Sequence, residues 1–169
     1  MIRALNKEVN NVQNPALGAL LLWRFVAGFE SSESNRKHPD LPLLFIVLPL
    51  LFHDETAKIM VATRGSSGLR AFTDKFSPSA VSKNDLLVSL NSKINCTKDL
   101  TLNSLMLAVA SNLLIINVDK ATVIPLSITP PKAGLSESIK ILITLAEKLG
   151  TWCAPLTNHE IGLTLKIGL

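Results

Sequence analysis

Asn14-Pro15-Ala16-Leu17-Gly18-Ala19-Leu20-Leu21-Leu22-Trp23-Arg24-Phe25-Val26-Ala27-Gly28-Phe29 is the stretch on which the fold turns. Asn14 can cap a free backbone N–H, and Pro15 stands at the first helical position, where its missing donor costs nothing, so a helix starts here. Its apolar residues run round most of the cylinder instead of forming a stripe, with Arg24 the one charge. A helix of that kind is buried on several sides or covered by a partner. Leu22, Trp23, Phe25 and Phe29 are therefore candidate partner-interface residues.

Working outward, Glu30 to Asp40 holds serines, charges and Pro39 and reads as a solvated loop. Asp40 and Pro42 open a second helix through Leu43 to Leu48, with a kink expected at Pro49 and continuation to Phe52. From Asp54 the pattern turns amphipathic as far as Arg64. Gly65-Ser66-Ser67-Gly68 breaks it, and a short helix follows from Leu69 to Phe76. The first thirteen residues are polar and irregular and read as an arm that orders only against something else.

Residues 79 to 126 read as a winged-helix-like segment. One helix runs from Ser79 through Ile94, Cys96-Thr97-Lys98 marks a junction, and a second helix begins near Asp99 and carries Leu102, Leu105, Met106, Val109 and Ala110. Two β-branched runs, Leu113 to Val118 and Ala121 to Leu126, flank an Asp119-Lys120 turn and make a hairpin. Pro125 confines its strand to an edge. Beyond Pro130-Pro131, an amphipathic helix from Ser136 to about Trp152 is stopped by Pro155, and a last short helix follows. The expected fold is mainly α with a small β-hairpin, its N-terminal apolar helices packed on the winged-helix-like half. A single compact domain is expected over 1–169, divided into a helical layer at 14–76, the segment 79–126 and C-terminal helices at 135–169.

With 169 residues, 47% apolar and 18% charged, disorder and a multidomain enzyme are excluded. The longest apolar run, Leu41 to Phe52, is twelve residues with two prolines, too short to span a bilayer. No signal-peptide pattern opens the chain, so a cytoplasmic location without membrane contact is expected. The two cysteines, Cys96 and Cys153, are far apart and read as small core residues.

Catalytic groups are sparse. His53-Asp54-Glu55 is the one place where a histidine adjoins carboxylates, but neighbours in sequence point different ways round a helix, so a polar helix terminus explains them better than a catalytic site. Neither histidines at i, i+4 nor G-x-S-x-G occurs, and no Walker A lysine follows the glycines, so no enzyme, metal or cofactor is expected. Lys58 to Lys98 carries seven bases against two acids, a local excess of +5 within a net charge of +4. Lys58, Arg64, Arg70, Lys75 and Lys83 are candidate contacts to nucleic acid or to an acidic partner, and a solvated face remains the third reading. Gly65-Ser66-Ser67-Gly68, flanked by Arg64 and Arg70, is either a glycine C-cap followed by a serine N-cap or a backbone cradle for phosphates. A second helix without internal Arg or Lys argues against direct base readout.

The segments Asn14 to Phe25 with Gly28-Phe29, and Leu41-Pro42-Leu43-Leu44-Phe45-Ile46-Val47-Leu48-Pro49-Leu50-Leu51-Phe52-His53, resemble the small middle component of bacterial three-component ABC systems, which overlap with Lamassu-type anti-phage defence. The likeness is good over residues 14 to 53 and looser to about 155, where Leu149-Gly150-x-Trp152 also fits. Usual members have Gly-Tyr where this chain has Gly28-Phe29. The resemblance implies a non-catalytic subunit working with an SMC-like or Rad50-like ATPase and a separate effector, often a nuclease, in sensing invading double-stranded DNA. A free-standing winged-helix DNA-binding regulator is the rival reading.

Overall fold

The computed structural model describes residues 14–32, 37–76, 80–129 and 134–168, with backbone alone for 80–87. Helix α1 spans Pro15–Ser32 and starts as its sequence dictates, with Asn14 Oδ1 accepting from the Ala16 N–H at 2.9 Å. It lies at the centre, packed most extensively on α6 (Glu137–Cys153) and next on α5 (Ala80–Ala110). Leu21, Leu22, Phe25 and Val26 are fully buried. Each such side chain stabilises the fold by roughly 1.5–3 kcal/mol relative to exposure.

Glycines set how closely these helices approach. A Cβ at Gly150 of α6 would stand 2.7 Å from Phe29 N and meet Phe25 O, and one at Gly28 would stand 2.8 Å from Glu147 Cα. The α1 and α6 backbones therefore touch directly. On the other side of α1, a Cβ at Gly18 would stand 2.8 Å from Ser104 Cβ on α5.

Leu41–Ile46 is a 3-10 stretch, and the α-helix proper, α2, covers only Val47–Leu51. The kink expected at Pro49 is displaced upstream. Pro49 has no N–H to give Phe45, and the pattern changes before it, with Val47 N bonding Leu44 O. Pro49 then sits in the first turn of α2, where a donor is not needed. Helix α3 (Asp54–Ala62) follows, and a 3-10 turn at Gly65–Ser67 leads into α4 (Gly68–Asp74). The positive φ, +80°, belongs to Gly68 and not to Gly65, and no serine side chain caps α4, so the glycine C-cap and serine N-cap reading is corrected.

The two helices expected within 79–110 are one. Helix α5 runs unbroken through Cys96-Thr97-Lys98, about 46 Å at 1.5 Å per residue. No glycine or proline interrupts it there, and the threonine hydroxyls bond back along the helix, Thr97 to Lys93 O at 2.9 Å and Thr101 to Thr97 O at 3.0 Å. The winged-helix reading rested on two helices and a hairpin within 79–126, and there a single helix, α5, precedes the hairpin. Asn112, at φ 55°, ends the helix, with Leu113 N returning to Ala108 O and Asn112 N to Val109 O, a Schellman closure with Asn in the glycine place.

The hairpin forms as read. Strands β1 (Leu114–Asn117) and β2 (Thr122–Pro125) pair antiparallel, Leu114 with Pro125 through Asn117 with Thr122. The Asp119-Lys120 turn is closed by Ala121 N to Val118 O, with Ala121 itself at φ 50°. Helix α6 begins at the Ser136 cap, and α7 (Asn158–Leu165) opens with a reciprocal Thr157–Glu160 capping box. Aromatic packing joins α4 to α6, with Phe72 stacked on Trp152 at 5.4 Å between centroids.

Candidate functional site

Leu22, Trp23, Phe25 and Phe29 do not face a partner. All four are buried in the chain's own core, because α6 and α5 cover α1 on the sides its sequence leaves apolar. Trp23 and Arg24 also fasten the chain after β2. Trp23 Nε1 donates to Ser127 O at 2.5 Å and Arg24 donates to Ile128 O at 2.8 Å, while Arg24 Nε bonds Glu147 Oε1 of α6 at 2.8 Å. The buried charge of the apolar helix is thus neutralised across the α1–α6 contact.

The basic candidates divide by what they touch. Lys58 and Arg64 are exposed at α3 and just after it. Arg70 of α4 pairs with Glu160 of α7 at 3.4 Å, and Lys75 Nζ donates to Ala62 O at 3.0 Å. Lys148 of α6 reaches the same helix end, donating to Met60 O and Thr63 O, both at 3.0 Å, beneath the Trp152 ring. Two lysines therefore satisfy the carbonyl end of α3, where positive charge meets the helix dipole. Burial and the nearby Lys75 hold the Lys148 ammonium below the usual lysine range. Trp152 Nε1 bonds Gly65 O at 2.7 Å, so the 65–68 loop is held from within by α6. Lys83 lies on α5, its side chain outside the described set.

His53 occupies the N-cap position of α3, and its Nδ1 is buried without a partner. Burial first, and Lys93 second, hold its imidazole below the ordinary histidine range, with Glu55 and Asp54 opposing. A cleft of about 750 Å³ lies between the 37–40 segment, the hairpin turn and the start of α7, and is lined by His38, Asp40, Lys120 and His159 among others. There Asp40 Oδ2 accepts from Asn158 Nδ2 at 2.5 Å, so its carboxylate serves to join the 40s to α7. Among the described residues no group of three or more His, Cys, Asp or Glu could hold a metal ion, and no helix is long and apolar enough to cross a membrane. Cys153 is buried, which pushes its thiol up, but Cys96 is exposed on α5, correcting its reading as a core residue.

Exposed apolar side chains occur on the hairpin and the last turns of α5 that feed it, and also singly at Val61, Val88 and Leu163. Val118 is 84% exposed and Met106 70%, with Leu102, Ile115, Leu126 and Ile128 also exposed. Large exposed apolar groups mark interaction surfaces when they collect in one region. Over residues 2–169 the chain matches the family model described as ABC-three component (ABC-3C) system Middle Component 3.

The chain belongs to that middle-component family. No curated protein and no solved structure matches it. For an ABC-3C middle component, partnership with the other components of its system follows. Gly28-Phe29, from the first of the segments that carried the likeness, and Gly150 of the looser Leu149-Gly150-x-Trp152 stretch meet in space at the α1–α6 crossing, so in this middle component they build the scaffold. The exposed hairpin end escaped sequence reasoning. Its available signal was the apolar excess outside the helix periodicity, at Ile115, Val118, Leu126 and Ile128.

Proposed function

We propose that this middle component is a non-catalytic accessory subunit of an anti-phage defence complex of the Lamassu type. It bridges an SMC-like or Rad50-like ATPase and an effector subunit, a nuclease, when foreign DNA is sensed. Family membership over nearly the whole chain is the observation that carries the proposal. Two features support it. Arg24, Lys148 and Asp40 are engaged in holding the chain's own elements together, and several exposed apolar groups, Ile115, Val118, Leu126 and Ile128, lie at the hairpin end. One end of the molecule is thus suited to docking, and the basic surface around Arg64 and Lys75 supplies a second, electrostatic face. The rival regulator reading is weakened by the single helix α5, which stands in place of the two helices expected within 79–126.

Co-expression of the affinity-tagged chain with the ATPase and effector encoded beside it tests the proposal. All three polypeptides are expected to elute together in fixed ratio through size exclusion. Elution of the tagged chain alone, with soluble partners in a separate peak, would overturn it.

A further inference from the structure

The hairpin has two edges, and the fold treats them differently. Leu126 N donates to Leu113 O at 3.0 Å, which sets the antiparallel alternation. Ile115 with Ile124, and Asn117 with Thr122, are then the hydrogen-bonded pairs, while the backbone groups of Leu114, Ile116, Val123 and Pro125 point away from the ladder. On β2 that outward edge is closed. Val123 N donates to Pro39 O at 3.0 Å, Leu41 N donates to Ala121 O at 2.8 Å, and Pro125 has no N–H to offer. On β1 the corresponding Ile116 N–H and C=O take no backbone partner among the described residues.

An open edge is ordinarily guarded by a charge, a proline or a bulge. Leu114-Ile115-Ile116-Asn117 contains none, and the side chains beside the edge, Ile115 and Val118, are exposed. We infer that β1 is a strand-addition site, which takes up an extended segment of another protein component of the same ABC-three component system. Only an extended backbone presents N–H and C=O at the spacing this edge requires, and apolar side chains alternating along it would cover Ile115. A second copy of the chain is the poorer occupant. A four-residue strand paired with its own copy buries far less than the roughly 800 Å² per partner of a stable complex, whereas a larger component can cover the adjoining α5 and Val118 surface as well. The inference rests on the accessory-subunit reading.

Amide hydrogen exchange on the free chain and on the co-purified complex tests it. The Ile116 amide is expected to exchange as a solvent-facing group in the free chain and at least about tenfold more slowly in the complex. An Ile116→Pro chain, which loses the outward donor while keeping every donor of the internal ladder, is expected to be retained in the complex at least about tenfold less well than Ile116→Val. A complex that forms with Ile116 still exchanging freely overturns the strand-addition site and leaves the subunit reading intact. Failure of any complex to form overturns both. Protection that rises with the concentration of the chain alone, accompanied by dimer in sedimentation, overturns the assigned occupant in favour of a second copy.

Discussion

Replacing Gly150 by alanine tests the physical basis of the scaffold. The added Cβ would stand 2.7 Å from Phe29 N and 3.1 Å from Gly28 C, with Phe25 O also in its way. All three obstacles are backbone atoms of α1, so none can rotate aside, and the helices must separate. Overpacking of this kind costs typically 1–3 kcal/mol, and rigid obstacles on one side put it near the upper end, about 3 kcal/mol. Alanine recovers about 1 kcal/mol through helix propensity. The net loss is about 2 kcal/mol, which in a chain of this length lowers the melting temperature by about 4–8 °C. Gly65→Ala is the control, since nothing lies within 4 Å of a Cβ there, and its melting temperature should stay within about 2 °C of the parent. Thermal unfolding followed by circular dichroism reads both. A Gly150→Ala chain as stable as the parent would refute direct backbone contact between α1 and α6.

The ion pair, the imidazole, the thiols and the basic face give further tests. Glu147→Ala should cost roughly 1.5–3 kcal/mol in urea unfolding and Glu147→Gln clearly less, because the first leaves the buried Arg24 cation with the Ile128 carbonyl but no carboxylate partner. His53 has a folded pKa below its unfolded value, so its contribution is fully present above about pH 6.5 and is lost as pH falls below that; melting temperature should decline from pH 7.5 to 5.5 and the decline should flatten in His53→Gln. Ellman's reagent should titrate Cys96 quickly in the native chain and Cys153 only after unfolding. If Arg64, Arg70 and Lys75 lie near phosphates in the assembled complex, changing all three to alanine should reduce the slope of log affinity against log salt by roughly 0.9 per lost contact with assembly intact, as read by titration of labelled duplex.

Where local chemistry decides structure, the chain could be read directly. Asn14-Pro15 starts α1, the all-round apolar pattern of α1 demands burial on several sides, Ser136 caps α6, and the switch to two-residue periodicity after Asn112 makes the hairpin. What could not be read depends on distant partners. Nothing near Leu22 or Phe25 tells whether a second chain or α6 covers them, since α6 is more than a hundred residues away. Arg24 likewise finds Glu147 across 123 positions. The false junction at Cys96-Thr97-Lys98 came from a polar interval that the threonine hydroxyls absorb by bonding back along the helix. At the candidate site, the basic excess was visible but its division between the α3 terminus, Glu160 and solvent was not, because that division is set by tertiary packing.

The proposed bridging role is tested most directly by reconstituting the three-component complex with and without this chain and measuring ATP turnover and effector activity on added linear duplex DNA. The account predicts that the isolated chain turns over nothing, and that DNA-dependent effector activity needs all three polypeptides. An ATPase and effector that associate and respond to DNA equally well without this chain would contradict it.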